Sequence, residues 1–351
     1  MLVPAELIVQ RAKSIISTKV PFVNCFFKKF LKNKKGAGAE GEQGYAEGEK
    51  PVILRDIEAF VRHLRRKEEE IMLYERFGRE EICPALPKGA TEISLTSYAR
   101  ENIGALVDGA RWGVLILPGG GYRLTADSEA EPVALDFLHG GVQTFVLRYS
   151  VEPDQWPQAF LEAAASLAFI RRNAAKYGIR PDRIAVCGFS AGGHLAGCLA
   201  NLWADPIIGE KLGLTAEEVR PDAAILSYPV ISAGEWGLRD CTQRLTGREE
   251  LSTALEKLSL EKSVTAGNPP TFLWTTDTDC TVPPENTLLY ACALRRQGVP
   301  LELHYYGHGP HAMATATSEA AGDPGWQDEQ AATWLPLCVR WLQRETWRNK
   351  D

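Results

Sequence analysis

Gly188-Phe189-Ser190-Ala191-Gly192 sets a serine between two glycines, directly after the apolar run Ile-Ala-Val-Cys and directly before an Ala- and Leu-rich stretch. A serine in a tight strand-to-helix turn needs small neighbours, because a side chain at either flanking position collides across the turn. The turn lifts Ser190 Oγ out of the sheet and puts it near a helix N-terminus, where backbone N–H groups face developing negative charge. A serine hydroxyl alone is a weak nucleophile, so the chemistry requires a base to take its proton and a carboxylate to orient that base.

The chain has six histidines. His63 falls in an N-terminal amphipathic stretch and His139 at a helix end before Gly140-Gly141. His194 sits in the helix after the serine, as a packing residue, and His304 sits inside a strand, so neither is free to swing onto Ser190. His308 and His311 remain, both in Gly307-His308-Gly309-Pro310-His311 beyond the last long apolar run. That is a strand carboxyl end, where open parallel sheets bind ligands. For the acid, Thr271–Thr276 runs into Asp277-Thr278-Asp279, and either aspartate can hold an imidazole while the other braces the turn. Leu117-Pro118-Gly119-Gly120-Gly121-Tyr122 again follows a strand, and the N–H groups of Gly120 and Gly121, with that of Ala191, form the expected oxyanion hole. A phosphate cradle fits poorly, since neither Lys-Ser/Thr nor G-x-G-x-x-G spacing with a downstream acid is present.

Parts so placed need a scaffold of strand ends. After about residue 90, short β-branched and aromatic runs alternate with Ala- and Leu-rich stretches. This rhythm predicts an α/β fold: a mostly parallel central sheet with helices on both faces. Strands are expected at 112–117, 142–149, 183–188, 223–228, 271–276 and 301–306, and helices at 132–138, 158–177, 191–203, 284–297 and 331–346. Residues 231–262 form an expected small cap. Residues 1–50 read as a basic segment plus a Gly/Glu-rich linker, 51–89 as a helical extension, and 90–351 as the catalytic domain. Lysines and phenylalanines over 21–35 allow a basic amphipathic patch on an anionic membrane, against the plainer reading of a solvated segment.

With 45% hydrophobic and 24% charged residues among 351, the chain is globular in character, and a net charge of −6 argues against a dedicated nucleic-acid binder. The eight cysteines include no C-x-x-C pair, so no metal or redox site is spelled out and no cofactor is expected. Reduced thiols, the lack of a long apolar run and the lack of a basic n-region at the start give a cytoplasmic expectation.

Together these residues resemble the α/β-hydrolase esterase/lipase group of acetyl esterases and acetylxylan esterases, over about residues 90–347. The resemblance rests on PGGGY at 118–122, Glu131-Pro132-Val133-Ala134, Arg148-Tyr149-Ser150-Val151, GFSAGGHLA at 188–196, RPDAAILSYPVIS at 220–232, Asp279-Cys-Thr-Val-Pro283 and Gly309-Pro310-His311. It implies that Asp279, two residues before Val-Pro, is the triad acid and that His311 is the base. It also implies a two-step acyl-enzyme mechanism on short acyl esters, often acetyl groups on carbohydrate, with a small-molecule ester as the partner. Pro118 departs from the HGGG histidine of the hormone-sensitive-lipase-like relatives, and Ala312 from their glycine after the base. Tyr122, Trp236 and Trp326 are the candidate substrate-contacting residues, whereas Trp112 and Trp274 read as core. An amidase or peptidase on the same triad, a broader lipid or xenobiotic esterase, and a non-catalytic binding protein are the alternatives.

Overall fold

The computed structural model describes residues 72–100, 111–248, 252–321 and 323–345. The basic segment and linker, the patch at 21–35 and the helical reading over 51–71 lie outside the described residues.

Eight strands form one sheet in the order β1-β2-β4-β3-β5-β6-β7-β8. They are β1 Met72–Phe77, β2 Ser94–Arg100, β3 Arg111–Leu117, β4 Gln143–Arg148, β5 Ile179–Phe189, β6 Ala223–Ser227, β7 Thr271–Thr276 and β8 Leu301–Tyr306. β2 is antiparallel to both β1 and β4, and all other pairs are parallel.

The period-two alternation of a strand divides the core. Leu115 and Leu117 of β3, Val186 of β5 and Leu273 of β7 pack on one face with helices α2 Gln158–Arg172, α3 Ser190–Leu202 and α5 Glu285–Arg296. Val114, Ile116, Cys187, Phe272 and Trp274 pack on the other with α1 Glu131–His139 and α6 Trp334–Arg344. Burial on both sides is why these strands read as near-continuous apolar runs. Over the carboxyl ends lies the expected small cap, with helix α4 Arg239–Thr246 and two short 3₁₀ helices, Thr253–Leu258 and Leu260–Lys262.

The N-terminal edge differs from expectation. Met72–Phe77 is a strand, not the last turns of a helical extension, and its residues alternate exposed and half-buried. Leu73 and Phe77 turn inward, where Phe77 meets Phe169 with ring centroids 4.8 Å apart, and Glu75 accepts from Lys176 Nζ at 2.7 Å and Tyr177 O–H at 2.9 Å. Tertiary partners thus override a helical spacing of apolar residues. The sheet unit accordingly starts near residue 72 rather than 90. β2 has little apolar signal because Ser94, Thr96 and Ser97 are buried polar residues; Ser97 Oγ accepts the Glu75 N–H at 3.0 Å and donates to the Leu73 carbonyl at 3.1 Å.

Candidate active site

β5 delivers the serine. A Cβ at Gly188 would run into the Gly192 carbonyl, and one at Gly192 into the Leu117 carbonyl, so the turn closes only on glycine. Ser190 itself is left-handed at φ 53° and 7% exposed. The adjoining Tyr228-Pro229-Val230 segment after β6 anchors the turn, since Val230 N–H donates to the Ser190 carbonyl at 3.1 Å.

Ser190, His311 and Asp279 meet at the sheet's carboxyl edge. His311 Nε2 lies 2.8 Å from Ser190 Oγ and its Nδ1 lies 2.7 Å from Asp279 Oδ2. A carboxylate can only accept, so Nδ1 carries the proton and Nε2 faces the hydroxyl as acceptor. The Asp279 side chain is wholly buried, and its Oδ1 accepts the N–H groups of Thr281 and Val282, both at 2.9 Å. The histidine loop is buttoned to the acid loop: Thr276 and Thr278 hydroxyls donate to the Gly309 carbonyl at 2.7 and 3.0 Å.

His308, the other histidine of that loop, is exposed. Asp277 is exposed too, and it accepts the Tyr305 O–H at 2.7 Å instead of an imidazole.

The glycine loop after β3 lies against the serine. Gly119 N–H donates to Glu129 Oε2 at 2.7 Å, and Gly120 and Gly121 follow at φ 124° and 66°. Tyr122 is buried and left-handed at φ 57°, with its hydroxyl 2.8 Å from His194 Nδ1. His194 Nε2 is 2.8 Å from the Leu258 carbonyl, so Nε2 is the donor and Nδ1 accepts from tyrosine. Burial lowers the His194 pKa to about 4, which keeps it a neutral bracket between the glycine loop and the cap. Between them lies a small cavity of about 10 Å³ lined by Tyr122, His194, Val230, Cys241, Leu245 and Leu258, among others. On the other side of α4, a polar groove of about 660 Å³ is lined by Glu152, Gln155, Asp240, Gln243 and Arg244 with Pro153 and Gly247. Arg244 Nη1 donates to the Gly121 carbonyl at 3.3 Å, which joins groove and loop.

Trp112 and Trp274 are core, at 3% and 0% exposure, while Trp236 and Trp326 are 37% and 41% exposed. Neither exposed tryptophan lines the cavity or the groove. Glu129 and Tyr228, both buried beside the serine, escaped the sequence reading: a carboxylate among Asp127-Ser128-Glu129-Ala130-Glu131 carries no local mark of burial. Among the described residues no group of three or more His, Cys, Asp or Glu is placed to hold a metal ion, and no helix is long and apolar enough to cross a membrane.

The sheet order and the strand-to-helix turn at Ser190 define an α/β-hydrolase of the esterase group. Within that class the chain belongs to the BD-FAE family, whose model matches residues 113–294. It is 35% identical over 210 residues to endo-1,4-beta-xylanase B of Butyrivibrio fibrisolvens, covering 59% of this chain and 33% of that protein. It is 28% identical over 211 residues to an acetylxylan esterase of Xylanibacter ruminicola, covering 57% and 41%. The chain thus spans between a third and about two fifths of the length of these curated relatives. Among solved structures, an acetyl ester-xyloside bifunctional hydrolase of Caldicellulosiruptor lactoaceticus matches with a TM-score of 0.63 and 34% identity, covering 73% of this chain and 89% of that one.

Proposed function

We propose that the chain is a serine carboxylesterase that removes short acyl groups, acetyl above all, from carbohydrate esters such as acetylated xylo-oligosaccharides. The observation behind this reading is the unbroken relay Ser190 Oγ to His311 Nε2 at 2.8 Å and His311 Nδ1 to Asp279 Oδ2 at 2.7 Å. Ser190 Oγ attacks the ester carbonyl carbon as its proton passes to His311 Nε2, and the N–H groups of Gly120, Gly121 and Ala191 receive the oxyanion. The bond to the alcohol oxygen then breaks, and that oxygen leaves with the proton from His311. Water attacks the acyl-enzyme by the same path and releases the acid. Asp279 holds the imidazole tautomer throughout.

Two features support the finer assignment. The cavity of about 10 Å³ is lined by Tyr122, next to Gly121, and by His194 of the helix that Ser190 opens, not by the relay residues themselves, and it has room for about one water-sized group, the size class of an acetyl methyl. The groove behind α4 offers carboxylates, amides and a guanidinium, which suits a hydroxyl-rich alcohol. The relatives named for xylan and acetylxylan point the same way.

The test is initial rates of wild type and Ser190→Ala on acetyl, butyryl and octanoyl nitrophenyl esters, the matching anilides and acetylated xylo-oligosaccharides, scoring acid release. Acetyl preference and sugar deacetylation by wild type alone are the expected result. Octanoate preference with inert sugars would leave a broader lipid or xenobiotic esterase, and faster turnover of anilides would leave an amidase. Wild-type rates no higher than those of Ser190→Ala on every substrate would sink the enzyme reading.

A further inference from the structure

Glu129 is 1% exposed, lies directly behind the proposed nucleophile and has no part in the relay. A Cβ built on Gly119 would sit 2.7 Å from Glu129 Oε2 and 2.9 Å from Ser190 Cβ, which measures how closely the three residues meet. Among the described residues no Lys or Arg pairs with this carboxylate. Oε2 accepts Gly119 N–H at 2.7 Å and Oε1 accepts Tyr228 O–H at 2.8 Å. Tyr228 in turn accepts Ala314 N–H at 2.9 Å, and its ring packs edge-on against the His311 ring, centroids 5.0 Å apart. Gly119 begins the oxyanion loop, and Ala314 lies just past His311 in a stretch where Ala312, Ala314 and Ala316 are all left-handed, at φ 67°, 51° and 56°. Such a stretch keeps its shape only when surrounding bonds hold it.

We propose that Glu129 is a positioning residue of this site: a buried, ionised carboxylate that faces the His311 imidazolium formed during acyl transfer and, through Gly119 and Tyr228, ties the oxyanion loop to the His311 loop. The inference rests on the esterase reading above for its rate effects alone.

The hydrogen bonds favour the ionised form. Gly119 N–H can only donate, and Glu129 Oε1 takes the Tyr228 hydroxyl proton while the Tyr228 oxygen accepts Ala314 N–H, so both carboxylate oxygens are acceptors as they stand. Burial pushes the Glu129 carboxyl above the ordinary glutamate range, opposed by Tyr228, Gly119 and the His311 charge. The titratable groups around it are Tyr228 at the end of β6, Cys187 in β5, Tyr149 after β4 and His311 after β8, while His311 faces Asp279, Ser190 and the Tyr228 ring. Burial keeps the Tyr149 and Tyr228 phenols and the Cys187 thiol neutral, so Asp279 and Glu129 supply the negative charge near the imidazole.

The experiment compares Glu129→Gln, Glu129→Asp and Tyr228→Phe with wild type. It follows kcat and KM for nitrophenyl acetate against pH, and the downfield Nδ1–H resonance of His311 against pH without substrate. Glu129→Gln keeps the shape, removes the charge and turns one acceptor oxygen into an N–H donor: kcat falls about 10- to 100-fold with KM within about twofold, and the loss of charge is read in the acid limb and the resonance, which both titrate at least about half a pH unit lower. Glu129→Asp keeps the charge, and Tyr228→Phe cuts the tie to Ala314; both lower kcat and leave the acid limb in place. An acid limb and a resonance unmoved by Glu129→Gln would overturn the proposal and leave a structural brace. So would an acid limb lowered in Glu129→Asp, which keeps the inference testable if the Gln variant does not fold. Should Ser190→Ala retain full turnover, the esterase reading fails separately, and the substrate-free resonance still decides on Glu129.

Discussion

His308 and His311 share one short loop, yet the geometry separates them: His311 sits between Ser190 and Asp279, and His308 faces solvent. His311→Ala is expected to lower kcat on nitrophenyl acetate by roughly 10³-fold or more, whereas His308→Ala stays within about twofold. Asp279→Asn, which keeps the shape but loses the tautomer lock, should cost about 10³- to 10⁴-fold, and Asp277→Asn almost nothing. Equal losses from both histidine variants would refute the proposed roles. The serine was legible because its turn demands glycines at fixed offsets, a purely local constraint. The base and acid were narrowed to pairs, because a loop's spacing does not say which member turns inward. That choice came from resemblance; the structure brings His311 and Asp279, rather than His308 and Asp277, to Ser190.

At the scale of elements, α4 is the wall between the two recesses. Cys241 and Leu245 line the small cavity, while Asp240, Gln243 and Arg244 line the polar groove, so one amphipathic helix separates the proposed acyl and alcohol sides. Leu245→Ala is expected to enlarge the cavity and raise butyryl relative to acetyl turnover about tenfold, at a stability cost of about 2–5 kcal/mol. Chain-length profiles of the variant, taken alongside its denaturant midpoint, check both halves. Gln243→Ala should raise KM for acetylated xylo-oligosaccharide several-fold and leave nitrophenyl acetate unchanged; equal effects on both substrates would remove the groove from the alcohol side. The central strands were readable because burial on both faces makes them apolar runs. β1 and β2 were not, since β1 is an edge strand with helix-like apolar spacing and β2 buries serines and threonines satisfied only by neighbouring chain.

Across the whole molecule, His194 is one contributor to acid stability. Burial lowers its folded pKa to about 4 from the ordinary 6.5, so the unfolded chain binds a proton that the folded one refuses. Stability therefore rises with pH across that window: its contribution is intact above about 6.5 and is lost progressively as pH falls toward 4, with a slope of at most about 1.4 kcal/mol per pH unit. His194→Gln, although less stable at neutral pH for want of the bracket to Tyr122 and Leu258, should show a flatter melting temperature between those pH values; an unchanged slope would remove His194 as the cause. The sequence by itself determined the layered α/β order, the turn that carries Ser190 and the glycine loop, because period-two burial and glycine-only turns are local constraints written in residue type. That His311 and Asp279 lie within hydrogen-bond reach of each other and of Ser190, how small the cavity is, and that Glu129 stands behind Ser190 were decided only by the tertiary structure, because each depends on which distant loops the sheet order brings to one edge.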